Sequence, residues 1–183
     1  MVKQILLISG GTCSGKTTLA HELAEKENGA VLSVDDRLGE YAEKGIEAGC
    51  PVCILHAGMS LNDFFMRDPR IQCGELIRFY KEIAPFIKED LARFCRNTDK
   101  EFVIAEGIAF LPGITREIIE EMAEEGRQIR CQYLFAEPAE HDRRYREREW
   151  TKLFLKECEN PEEAFRLWME RDALFAEYIK RTM

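Results

Sequence analysis

The 183 residues are 45% hydrophobic and 33% charged, ordinary for a globular chain, which excludes a disordered or fibrous protein and predicts one domain over 1–183. Asp and Glu outnumber Lys and Arg 34 to 26, a formal charge of −8. An acidic surface repels polyphosphate backbones, so no nucleic acid polymer is expected as a partner. No apolar run reaches the roughly 18–20 residues of a membrane span, so no membrane partner is expected. The first apolar run, Ile5 to Ile8, is too short for a signal-peptide core, and the expected location is the cytoplasm. Seven cysteines, an odd number scattered along the chain, are expected as reduced thiols, several of them buried.

Lys3 to Ser9 is almost continuously apolar, as in a strand buried on both faces, and leads into a glycine turn. Thr17 to Lys26 has helical composition. Ala30 to Val34 predicts a second strand ending at Asp35-Asp36, Phe102 to Ala105 a third ending at Glu106-Gly107, and Ile129 to Phe135 a fourth. Ile114 to Glu125 repeats apolar pairs at helical spacing and stops at Gly126. Residues 37–101 form a long helical insert between strands two and three. It holds a helix capped by Ser60 and a longer one over Gly74 to Arg96, which Pro85 should kink or divide. Asn160-Pro161-Glu162-Glu163 suits the start of a last helix, burying Phe165, Trp168, Leu174, Phe175 and Ile179. Strands alternating with helices predict an α/β fold, a parallel sheet covered by crossover helices, whose ligands bind beyond the carboxyl ends of the strands.

Gly10-Gly11-Thr12-Cys13-Ser14-Gly15-Lys16-Thr17 matches G-x-x-x-x-G-K-[ST] in full, between a strand and a helix. Such a loop lets successive N–H groups point inward at phosphate, and the helix adds its positive dipole end. With Thr18 completing the segment, these residues are the expected cofactor-binding set. Lys16 would reach the β- and γ-phosphates and the Thr17 hydroxyl would ligate Mg²⁺. ATP and Mg²⁺ are therefore the expected cofactors.

The segment Gly-Gly-Thr-Cys-Ser-Gly-Lys-Thr-Thr resembles the phosphate loop of uridine kinase, phosphoribulokinase and nicotinamide riboside kinase. Val34-Asp35-Asp36 resembles the aspartate after strand two in those kinases and in chloramphenicol phosphotransferase. Val103 to Ile108 resembles their Glu-Gly at the end of strand three. Tyr133 to Pro138, followed by Arg143, Arg144, Arg146 and Arg148, resembles their fourth strand and lid, placed here at residues 139–150. The four blocks cover about 60 residues, and only the loop is highly specific. The resemblance, which extends to nucleoside monophosphate kinases, implies a three-layer P-loop NTPase fold with strand order 2-3-1-4. It also implies that elements between strands two and three grip the acceptor. A fifth parallel strand usual in these kinases has no counterpart, since everything after the lid reads as helix.

Phosphoryl transfer is mostly positioning and charge stabilisation, so it needs a cradle, a metal, an acceptor-side base and mobile cations. Asp35 is the expected base, also within reach of acceptor and metal, although it and Asp36 could instead cap the next helix. Glu106, beside strand one, could hold Mg²⁺ through water or contact the acceptor. Arg144 and Arg148, four apart, share a helical face and are expected on the transferred phosphates, with Arg143 third. Alternatively the arginines pair with Glu140, Glu147 and Glu149. In the insert, Arg37, Arg67, Arg70 and Arg78 suit a phosphorylated acceptor, and Tyr41, Phe64, Phe65 and Tyr80 a plain nucleoside. Arg37 joins Asp35 and Glu106 as the expected substrate residues. Cys50, Cys53, His56 and Cys73 have the ligand count for tetrahedral zinc at a nonstandard spacing, and otherwise read as ordinary loop residues. The expected function is an ATP- and Mg²⁺-dependent phosphotransferase on a small acceptor, a nucleoside or nucleotide. The alternatives are an antibiotic or sugar-nucleotide kinase, and a nucleotide-binding regulatory protein without transferase activity.

Overall fold

Four apolar runs become the strands of one parallel sheet: β1 (Gln4–Gly10), β2 (Ala30–Ser33), β3 (Phe102–Glu106) and β4 (Gln128–Leu134). The computed structural model describes residues 2–123 and 126–183. The strand order is β2-β3-β1-β4, as expected. β1 pairs with β3 from Gln4↔Phe102 to Ile8↔Glu106 and with β4 from Gln4↔Gln128 to Gly10↔Leu134. β2 meets β3 up to Ser33↔Glu106. This register brings the carboxyl ends of β1, β2 and β3 to one edge, so residues far apart in sequence meet around Glu106.

The period of two in the strands divides the core between the faces. Ile8 and Ile104 face α1 (Lys16–Glu27) and pack with Ala20. Ile5, Leu7, Val103 and Ala105 face the other way. There they meet α5 (Pro69–Asn97), α6 (Pro112–Ala123) and α9 (Pro161–Thr182), through Ile83, Ile87, Leu91, Ile118, Phe175 and Ile179. Each such fully buried side chain contributes roughly 1.5–3 kcal/mol of transfer free energy. α6 covers the expected helix as far as Ala123, and its expected last residues, Glu124 and Glu125, lie outside the described residues.

The insert is more helical than its sequence suggested. α2 (Leu38–Glu47) and α3 (Pro51–Ala57) precede α4 (Leu61–Phe65), whose expected cap Ser60 accepts from the Asp63 N–H at 3.0 Å. α5 begins at Pro69, earlier than the expected Gly74, because Asp68 caps it through the Arg70 N–H at 2.7 Å. Pro85 does not divide this 29-residue helix. The apolar stripe through Ile83, Ala84, Ile87 and Leu91 stays buried on both sides of the proline, and that burial outweighs one lost hydrogen bond. α7 (Pro138–Glu147) and α8 (Glu149–Lys156) follow β4. α9 starts at its expected cap Asn160 and buries Phe165, Trp168, Phe175 and Ile179, with Leu174 partly buried. Among the described residues no helix is long and apolar enough to cross a membrane.

Candidate active site

The phosphate loop joins β1 to α1 and is shaped by its backbone. Gly10 has φ +119°, and a Cβ there would lie 1.9 Å from the Leu134 carbonyl oxygen, so only glycine fits beside β4. Cys13, at φ 56°, turns the chain in the left-handed region, and Gly15 at φ 90° is the cap of α1. Ser14 Oγ donates to the Gly11 carbonyl at 2.7 Å, and Lys16 Nζ donates to the same oxygen at 2.8 Å. Lys16 is buried with its ammonium resting on the loop, whereas Thr17 and Thr18 are exposed on the first turn of α1.

Glu106 sits at the centre of the strand-end edge and is fully buried. Its Oε1 accepts from Ser33 Oγ at 2.7 Å and from Thr17 Oγ1 at 3.2 Å. Its Oε2 is buried with no hydrogen-bond partner. Two hydroxyls and a carboxylate with a free oxygen form a hard, all-oxygen donor set of the kind Mg²⁺ prefers. The expected metal residues Thr17 and Glu106 are therefore brought together, and the set suits that ion. Ser33 completes it; sequence reasoning passed over this serine because it ends a strand with no motif around it.

Asp35 lies in the 3₁₀ turn Asp35–Arg37 just past β2, and its Oδ1 accepts from the Ile108 N–H at 2.8 Å. Burial pushes its carboxyl up to about 6, against the pull of the Lys16 ammonium and the Ile108 N–H, with Glu106 and Asp36 adding like charge. A carboxylate with that value is poised to take a proton near neutral pH. Asp36 is exposed. Gly107 allows this approach, because a Cβ there would lie 2.8 Å from Val34 Cβ and 3.0 Å from Asp35 Oδ1. Gly107→Ala is expected to cost about 1–3 kcal/mol by overpacking and to displace Asp35. Denaturant unfolding of the variant checks the cost, and an unchanged midpoint contradicts the packing account.

The arginines divide. Arg144 donates to the Cys13 carbonyl at 2.8 Å and to Glu140 at 2.6 Å, so α7 is already tied to the phosphate loop. Arg148, between α7 and α8, lies against the Cys13 thiol; burial raises that thiol and Arg148 works against the rise. Arg143 pairs with Glu140 and Glu147 at the surface. Arg146 pairs with Glu162 and lies 4.0 Å over the Phe165 ring. Arg37 is engaged by Asp90, which also accepts from Tyr41 at 2.7 Å and from Arg93. Burial alone would raise the Asp90 carboxyl, but Tyr41, Arg93 and Arg37 hold it below the usual range. Arg37 thus braces the turn that carries Asp35.

A second buried network was not anticipated. Asp172 on α9 accepts from Tyr145 of α7 at 2.7 Å and from two nitrogens of Arg171 at 2.8 and 2.6 Å, and His141 Nε2 lies 3.5 Å away. Its one sequence signal is position: Arg171 and Asp172 fall three and four residues after Trp168, on the buried stripe of α9. Asp172 also lines a cavity of about 270 Å³ beside Gly11 and Thr12, together with Phe135, His141 and Lys180. The Lys180 ammonium lies 4.8 Å from the Phe135 ring centroid.

The four residues considered for zinc are not gathered. Cys50 and Cys53 lie with Glu82. His56 Nε2 is 3.3 Å from Glu75, which also holds Arg67. Cys73 lies on α5, near enough to Arg171 and Asp172 to feel their charge. The helical rise of α3 and α5 carries His56 and Cys73 away from the other two sulfurs. The cysteines form no disulfide among the described residues, and Cys53, Cys73, Cys95 and Cys158 are buried.

No protein-family model matches the chain. Over 145 residues it is 30% identical to a tRNA dimethylallyltransferase of Xanthomonas axonopodis pv. citri, a match covering 75% of this chain and 43% of that protein. A tRNA dimethylallyltransferase of Sulfurimonas denitrificans is 31% identical over 120 residues, 61% of this chain and 39% of that one. The chain thus spans less than half the length of the curated relatives it matches. A shikimate kinase of Acinetobacter baumannii, solved with shikimate, superposes at a TM-score of 0.44 and 20% identity, covering 97% of this chain and 80% of that one. That likeness is too distant to bear on the site. The complete phosphate loop at the end of the central strand of a β2-β3-β1-β4 parallel sheet, with helices on both faces, gives this chain a three-layer P-loop fold.

Proposed function

We propose that the chain is a phosphotransferase that moves the terminal phosphoryl group of ATP to a hydroxyl of a small acceptor, a nucleoside or nucleotide. The observation that carries this reading is the meeting, at one sheet edge, of Lys16, the Thr17–Glu106–Ser33 donor set and the raised carboxyl of Asp35. The loop N–H groups and Lys16 would hold the β- and γ-phosphates. Thr17 and Glu106, with Asp35 beside them, would hold Mg²⁺, which when bound neutralises charge on the phosphates. The acceptor oxygen forms its bond to the γ-phosphorus as the bond to the bridging oxygen breaks, and ADP leaves. The hydroxyl proton passes to Asp35 as its oxygen attacks. Arg144 and Arg148, already on the loop at Cys13, would close over the phosphates and exclude water. The cavity beside Gly11 and Thr12 offers room for the rest of the donor or for a substrate group lying next to the loop.

The similarity to tRNA dimethylallyltransferases favours a second reading. There the loop would hold the diphosphate of an activated alkyl donor, and Asp35 would take the proton from the acceptor nitrogen or oxygen. The two readings separate by product. The purified protein is incubated with Mg²⁺ and pooled nucleosides and nucleotides, once with ATP and once with dimethylallyl diphosphate. Acceptor-dependent ADP is the expected result. Acceptor-dependent inorganic diphosphate from the alkyl donor, without ADP, replaces the first reading by the second. Tight ATP binding with neither product leaves a nucleotide-binding regulatory protein.

A further inference from the structure

The insert brings together two thiols and a carboxylate that the nucleotide chemistry does not use. Cys50 stands just before α3, Cys53 lies in its first turn, and Glu82 reaches them from α5. One ligand atom from each of the three residues lies within 4.8 Å of the other two. Tetrahedral zinc with two sulfurs and one oxygen needs separations of roughly 3.5–3.8 Å between ligand atoms, from bonds of about 2.3 and 2.0 Å. The spread of at most 4.8 Å exceeds these separations by roughly 1 Å. We propose that Cys50, Cys53 and Glu82 form a three-ligand zinc site that ties the start of α3 to α5.

Two further observations support the site. The Glu82 carboxylate is oriented from outside, accepting from the Val52 N–H at 3.0 and 3.1 Å and from the Cys53 N–H at 3.1 Å. Such an outer contact fixes a ligand in place before metal arrives. Gly45 on α2 makes room for the sulfur, since a Cβ there would lie 2.4 Å from Cys53 Sγ. A divalent cation compensates the charge of two thiolates and a carboxylate held this close together. Binding is balanced as Zn²⁺ displacing the two thiol protons, which leave to solvent, while Glu82 supplies a carboxylate oxygen. Cys50 is only partly buried, so a water can complete the fourth position.

The test uses the full chain, reduced, with excess Mg²⁺ to occupy oxygen-only sites. Titration with Co²⁺ is expected to give one equivalent bound with a thiolate-to-cobalt charge-transfer band, which Zn²⁺ then abolishes by displacement. Zinc is expected to release two protons per chain and to raise the thermal midpoint. Cys50→Ser and Glu82→Gln each weaken zinc binding on the order of 10–100-fold or more, whereas Cys73→Ser leaves the band intact. Cys50→Ser is the main variant because the partly exposed position tolerates it. Circular dichroism confirms that each variant folds. No charge-transfer band in the native chain overturns the proposal. So does a band that survives in Cys50→Ser or disappears in Cys73→Ser, or a Cys50–Cys53 disulfide whose reduction yields no metal uptake.

Discussion

The Asp35→Asn variant is expected to gain stability and lose turnover together. Asp35 is held at about 6, above the roughly 3.9 of an unfolded aspartate, chiefly by burial. A carboxyl raised on folding favours the folded state while protonated. That contribution is full below about 4 and lost as pH rises through about 6. At pH 8 the native chain therefore carries a desolvated carboxylate that opposes folding, and an amide of the same shape does not. The variant should gain about 1–3 kcal/mol at pH 8 and almost nothing at pH 4, read by denaturant unfolding at both. Its Oδ1 can still accept from the Ile108 N–H, so the turn keeps its shape. Turnover should fall about 10²–10⁴-fold, the range for losing a general base. The native kcat/KM should climb through a limb near pH 6 that the variant lacks. Equal turnover in the two proteins removes Asp35 from the chemistry, and equal stability at pH 8 removes the strain.

What the sequence disclosed follows the range of the interactions involved. The phosphate loop was legible because its chemistry is backbone chemistry, written in the spacing of Gly10, Gly15 and Lys16. The sheet was legible because buried parallel strands are short apolar runs, and where the strand ends differ from the expected ones they do so by a single residue. Contacts between helices were not legible. Arg37, an expected substrate residue, donates to Asp90, 53 residues away inside the insert, a pairing that no local pattern shows. His56 and Cys73 looked like partners of Cys50 and Cys53, yet helix rotation replaced them with Glu82, which no short motif could pair with two cysteines. Asp172 and Arg171 were hidden differently: their charge suggested solvent, while their place on the Trp168–Phe175 stripe put them inside. A charged pair on a buried stripe is a readable sign, provided its partner is sought on another helix, here Tyr145. Pro85 shows the reverse case, in which a strong local signal yields to burial on both sides of it.

Lys16→Ala is expected to remove most of the transfer activity at little cost to folding. The side chain is buried at the amino end of α1, where the helix dipole opposes a positive charge, and it donates to the Gly11 carbonyl. Removing it takes away an unfavourable end charge along with that bond, so the thermal midpoint should hold within a few degrees, as expected for a change below about 1 kcal/mol. On the donor phosphates no other buried cation takes its place, because Arg144 and Arg148 approach the loop from the Cys13 side. A loss of about 10³-fold in kcat/KM, near 4 kcal/mol of transition-state stabilisation, is expected. Lys16→Arg should recover little of it, since a planar guanidinium does not reproduce a compact ammonium in a closed loop. The same substitution reports on Asp35. Lys16 is the foremost charge pulling that carboxyl down, so without it the residual pH limb should move upward from about 6. Turnover within tenfold of native would place the phosphates elsewhere. A lost limb position with retained activity would mean that Lys16 acts on the base and not on the donor.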